Sequence, residues 1–156
     1  MTLTRKTKGS AGADLSADRT LNIYPNTGVV VDTGYTLPEP QEGDYFFGLY
    51  IRSSTAFKKG LRLVNSVGVI DKDYPDTIKV GLYNNTSDIV RIEKGERIAQ
   101  LIPQPFLPLF PCEDVERTGG IGSTNENTWI IIFNVGLFNY FLEQEAVRRV
   151  FCITVV

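Results

Sequence analysis

Between residues 20 and 104 the chain runs as short apolar, β-prone stretches broken by Gly, Pro, Asn and Asp. Leu21-Asn22-Ile23-Tyr24 stops at Pro25-Asn26, and residues 28–37 stop at Pro38-Glu39-Pro40. Residues 45–51, 89–92 and 97–102 keep the same rhythm. Many short runs with turn residues between them predict an all-β architecture, a distorted barrel of the jelly-roll type. No internal repeat interrupts the pattern, and no helix is expected before residue 137. Two of the runs, Val67 to Asp71 and Thr77 to Asn84, bracket the acid-rich turn Lys72-Asp73-Tyr74. They read as a β-hairpin that holds a carboxylate and an aromatic ring at its mouth. Such a frame suits a general base and a stacking platform, although this segment taken alone reads first as a charged tip in water.

Beyond residue 125 the pattern changes. Residues 129–142 are strongly apolar and residues 143–149 are charged. Fourteen residues that include two Asn and a Gly fall short of the ~20 needed to cross a bilayer. The expectation is an extra strand or helix packed on the barrel or on a neighbouring subunit. The division expected is a domain over 1–125, with a glycine-rich arm at 117–125, and an atypical extension over 126–156.

Composition narrows the chemistry. A chain of 156 residues is one domain with room for an apolar core. A net charge of −2 gives no electrostatic case for nucleic acid or an anionic membrane. The N-terminus has no apolar signal core, so an intracellular protein is expected, and the Asn84-Asn85-Thr86 and Asn85-Thr86-Ser87 sequons are read as chance. Cys112 and Cys152 fit neither a metal spacing nor a disulfide framework. Histidine is absent, which removes the commonest general base, the serine-protease type of triad and the usual zinc ligands. Any proton transfer falls to carboxylates.

Four segments join the hairpin: Ala11-Gly12-Ala13-Asp14-Leu15, Arg52-Ser53-Ser54, Arg97-Ile98-Ala99-Gln100, and the arm Arg117-Thr118-Gly119-Gly120-Ile121-Gly122-Ser123-Thr124. Alone, each is weak. Arg-Ser-Ser after a strand can be a turn or a phosphate cradle of guanidinium and hydroxyls. Gln100 breaks an apolar strand with an amide that needs a partner. Consecutive glycines let backbone N–H groups converge on an anion, yet no P-loop Lys-Ser/Thr follows.

In this order and at this spacing the five segments resemble the trimeric dUTP diphosphatases, over residues 11 to 124. The resemblance implies a Mg²⁺-dependent homotrimer that hydrolyses dUTP to dUMP and pyrophosphate at sites shared between subunits. It implies Asp71 as the base that activates water, with Asp73 the competing acid. Tyr74 would lie on the deoxyribose face and exclude a 2′-hydroxyl. Asn65, Gly68, Ile70 and Lys79 to Gly81 would neighbour the uracil. Arg52, Ser53, Ser54, Gln100 and Arg117 would hold phosphates, Asp14 would face the metal through water, and Ile121, Gly122, Ser123 and Thr124 would close over the nucleotide.

Three departures stand in the arm: a spacing one residue short, Ile121 in place of an aromatic ring, and Asn125 in place of Gly. In the hairpin, Asp76 replaces a usual Gly. One rival is the dCTP deaminase relatives, whose catalytic glutamate position is Gly81 here. The other is a non-catalytic scaffold, whose ending Thr154-Val155-Val156 fits a PDZ-type partner.

Overall fold

The computed structural model describes residues 3–113, 117 and 119–121. Among these residues nine strands form three antiparallel sheets. β1 (Ala13–Ser16), β9 (Arg97–Pro105), β4 (Tyr45–Ile51) and β6 (Gly68–Asp71) make a four-stranded sheet in that order. β3 (Gly28–Asp32), β7 (Lys79–Asn84) and β5 (Leu61–Leu63) make the second, and β2 (Leu21–Ile23) pairs with β8 (Val90–Ile92). The all-β expectation stands.

Alternation explains why the sheets close on each other. In β7, Val80, Leu82 and Asn84 are buried while Lys79, Gly81 and Tyr83 are only half-buried. The inward residues meet Leu15, Ile23, Val31, Leu49, Leu61, Ile78, Ile92, Ile98 and Leu101 in one core. A fully buried Leu, Ile or Val contributes about 1.5–3 kcal/mol. Asn84 is the polar member of this layer. Its amide donates to the Ile23 and Asp88 carbonyls, and its oxygen accepts from the backbone N–H and hydroxyl of Thr86. That side chain is a structural pin, and the first sequon is closed to modification.

Four expectations are corrected. A short helix, α1 (Ser53–Lys59), follows β4. Its signals are local: Arg52 is extended, Lys58 and Lys59 stand in the last turn, and Gly60 takes a left-handed conformation (φ 65°) as C-cap. Seven residues are too few to show a helical period in the sequence. The two runs of the expected hairpin do not pair with each other. β6 pairs with β4, and β7 lies between β3 and β5 in another sheet. The run at 28–37 is a strand only to Asp32, whose carboxylate accepts the Gly34 N–H and turns the chain. β9 continues past Ile102 through two prolines, with Tyr45 opposite Pro105 at the sheet's end.

Among the described residues no helix is long and apolar enough to cross a membrane.

Candidate active site

The outward face of the four-stranded sheet carries the first charged group. Asp14 on β1 is opposite Gln100 on β9, and Gln100 is opposite Tyr50 on β4. Leu15, Ala99, Leu101 and Leu49 point into the core, which leaves Asp14 and Gln100 on the outer face. Gly12 lets β1 approach: a Cβ there would fall 2.7 Å from Ile102 Cγ1 and 2.8 Å from the Leu101 carbonyl. Asp14 Oδ1 pairs with Arg52 Nε at 2.9 Å, and Oδ2 with Arg97 Nη1 at 2.8 Å. Arg52 Nη1 also donates to the Arg97 carbonyl at 3.3 Å, and the Arg52 N–H to the Ile98 carbonyl at 3.2 Å. Beside this network a cavity of about 470 Å³ is lined by Arg5, Lys6, Asp14, Ser16, Tyr35 and Arg97. Ser53 and Ser54 open α1 directly after Arg52.

The second group sits at the far end of β4. Asp71 on β6 is opposite Phe46, and its carbonyl accepts the Tyr74 N–H across the turn. Arg117 Nη1 donates to Asp71 Oδ2 at 2.5 Å and to Asp73 Oδ1 at 3.5 Å, and its guanidinium stands 5.5 Å from the Tyr74 ring centre. Burial disfavours the Arg117 charge, but the Asp71 hydrogen bond and the charges of Asp71 and Asp73 outweigh it and raise its pKa. Tyr74 is buried; that burial pushes its hydroxyl up, and Asp76 and Asp32 add to the shift against Arg117. The arm rests here by Gly120, where a Cβ would meet the Asp76 carboxylate and lie 3.2 Å from the Tyr74 hydroxyl.

A third set of residues comes together around the link from β5 to β6. The Val64 N–H donates to the Gly81 carbonyl at 2.9 Å. A Cβ at Gly68 would meet Leu49 at 2.9 Å and Asn65 Nδ2 at 3.4 Å. Asn65, Gly68 and Gly81 are therefore neighbours, and Ser66 between them holds a left-handed φ of 63° in a tight turn closed by the Val67 N–H donating to the Asn65 carbonyl at 2.7 Å. Ile70 packs against the core, and Lys79 is opposite Asp32 and donates to the Thr77 carbonyl. Ile121 is exposed. Gly122, Ser123, Thr124, the 126–156 extension and its Thr154-Val155-Val156 ending lie outside the described residues.

A dUTPase family model matches residues 1–125. The chain belongs to the dUTPase family. It is 43% identical over 129 residues to the deoxyuridine 5'-triphosphate nucleotidohydrolase of Lactococcus lactis, across 77% of this chain and 85% of that protein. The nucleotidohydrolase of Corynebacterium diphtheriae is 41% identical across 79% and 84%. The crystal structure of the Streptococcus mutans dUTPase superposes with a TM-score of 0.64 at 35% identity, over 70% of this chain and 88% of that one. A Staphylococcus bacteriophage 80alpha dUTPase, at 24% identity and a TM-score of 0.62, shares the fold.

Within this dUTPase-family chain the sequence reading missed two participants. Arg97 was legible as a cation on the same strand as Gln100, but its pairing with Asp14 depends on the β1–β9 register. Asp76 was noted only as a departure, and its contact with Gly120 needs the arm in place. As for a metal, no three His, Cys, Asp or Glu cluster among the described residues, and both Asp14 oxygens already accept guanidinium donors. The donor set fits Mg²⁺ only as a companion of bound phosphates.

Proposed function

We propose that this chain hydrolyses dUTP to dUMP and pyrophosphate at a site assembled between subunits of a trimer. The observation that carries the shared site is the register of β4. Phe46 opposite Asp71 and Tyr50 opposite Gln100 are four residues apart, about 13 Å at ~3.3 Å per residue, and Arg52 is farther still. An attacking water lies only about 3–3.5 Å from its phosphorus. One chain's own Asp71 and own Gln100 thus stand far apart for a single α-phosphate, which favours a second copy. A neighbouring copy supplies the other half, and a cyclic trimer closes that head-to-tail arrangement.

In this reading Asp71 removes a proton from the water that attacks the α-phosphorus, and the P–O bond to pyrophosphate breaks in line. Gln100 donates to the α-phosphate, while Arg52 and the first-turn hydroxyls of Ser53 and Ser54 hold phosphate oxygens. Asn65, Gly68 and Gly81 line the uracil, and Tyr74 packs on the deoxyribose and leaves no room for a 2′-hydroxyl. Arg117 leaves Asp71 to bind the incoming triphosphate, which frees the carboxylate to act as base. Gly122, Ser123 and Thr124 complete the closure, and Ile121 covers the base without ring stacking, at a loss of roughly 1 kcal/mol. Asp14 would face Mg²⁺ through water, and the ion would supply charge neutralisation for the phosphates.

Incubation with dUTP, dCTP, dTTP and UTP in Mg²⁺ tests the activity. Pyrophosphate and dUMP from dUTP alone are expected. Deamination of dCTP, or no product from dUTP, contradicts the reading.

A further inference from the structure

Asp14 was expected to serve a metal through water, yet its carboxylate is shared between two arginines. Arg97 engages this network twice, by its guanidinium on Asp14 Oδ2 and by its carbonyl under Arg52 Nη1. Arg52 is thereby held at Nε by Asp14 and at Nη1 by Arg97, with its backbone N–H tied to Ile98. Every one of these partners is on β1 or β9, so the register that sets Asp14 against Gln100 also sets the direction of the Arg52 fork. Two fixed nitrogens orient a planar guanidinium; one exposed ion pair would not.

We propose that Arg97 is a positioning residue for triphosphate binding: with Asp14 it forms a clamp that orients Arg52, and the clamp acts without the metal. This rests on the reading of Arg52 as a phosphate ligand. The competing account is pure charge. Asp14 stands beside Arg5, Lys6, Arg52 and Arg97, and removing a negative charge from such a cluster would attract a triphosphate more strongly. The two accounts differ in sign.

The test is binding of the non-hydrolysable analogue dUpNHpp to the full chain in EDTA, by calorimetry, with Asp14→Asn, Arg97→Gln, Arg97→Lys and the Asp14→Asn/Arg97→Gln double variant. The clamp predicts that Asp14→Asn weakens binding about tenfold with no metal present. Arg97→Gln should do the same, Arg97→Lys should recover most of the loss, and the double variant should be no worse than the worse single one, as for residues acting as a unit. In turnover assays with Mg²⁺ the Arg97→Gln loss should appear in KM rather than kcat. Tighter binding by Asp14→Asn in EDTA, or wild-type binding by Arg97→Gln, overturns the clamp. So does a defect of Asp14→Asn that appears only with Mg²⁺. If the wild-type chain binds no analogue and makes no dUMP, the dUTPase reading itself fails, and the clamp with it. If wild type binds and the variants match it, only the clamp fails.

Discussion

The two charged groups on the four-stranded sheet are built in opposite ways. Around Asp14 each partner is on or next to a paired strand, and the ion pairs follow from a register that the buried Leu15, Ala99 and Leu101 enforce. Around Asp71 the partners come from a turn and the arm, and Asp71 and Asp73 are more than half exposed while Arg117 is largely covered. The first is a rigid cradle. The second can exchange partners, which is what a base needs if a cation guards it before substrate arrives. The proposed binding groups are held by the sheet; the proposed base is at its edge.

The largest effect should come from the edge. Asp71→Asn keeps shape and hydrogen-bond reach but cannot accept the water's proton, so kcat should fall about 100-fold or more with dUTP affinity retained. More than a tenth of wild-type kcat left in this variant would transfer the role to another acid, Asp73 first. Arg117→Ala comes next, with kcat/KM for dUTP lowered about tenfold through lost phosphate contact. Unchanged kinetics would leave the Asp71–Arg117 pair as a bystander.

Tyr74→Ala probes both regions of that edge together. It should raise the UTP-to-dUTP ratio of kcat/KM and, because the ring is buried, destabilise the fold by about 3 kcal/mol. A preserved ratio would remove Tyr74 from sugar selection. The smallest effect concerns Asp32, which accepts from Gly34 and Thr77 and lies near enough to Tyr74 to help raise its pKa. Burial pushes its pKa up, but hydrogen bonds from the Gly34 N–H and the Thr77 hydroxyl, with the Lys79 charge, bring it below the ordinary 3.8. A depressed folded pKa means stability that is present above the unfolded value and is lost as pH falls through the folded one. Wild type should therefore exceed Asp32→Asn in Tm at pH 7, and the gap should close below about pH 3.8. A gap that is constant with pH would mean the carboxylate charge contributes nothing.

The strands at Tyr45–Ile51 and Lys79–Asn84 were legible because apolar and turn residues alternate there without ambiguity. Asp71, Tyr74, Arg52 and Gln100 could be singled out because five segments recur in order. What could not be read was pairing between distant segments. The hairpin failed because neighbouring strands need not pair: β6 lies beside β4, and β7 lies between β3 and β5 in another sheet. The helix at Ser53–Lys59 lacked the length to display a period. Arg97 looked like any solvated cation on a strand until register put it on Asp14.

The central claim is that the cradle and the base act on one nucleotide from different copies of the chain. Mixing two inactive variants, Asp71→Asn and Arg52→Ala, in equal amounts under conditions that exchange subunits tests it directly. Each is expected to be inactive alone, yet in random trimers a site pairs an intact Asp71 with an intact Arg52 about one time in four. Recovery of about a quarter of wild-type dUTP turnover is the predicted result. A mixture as inactive as its parents, with exchange shown by mass spectrometry, would place both residues' function within one chain and contradict the account.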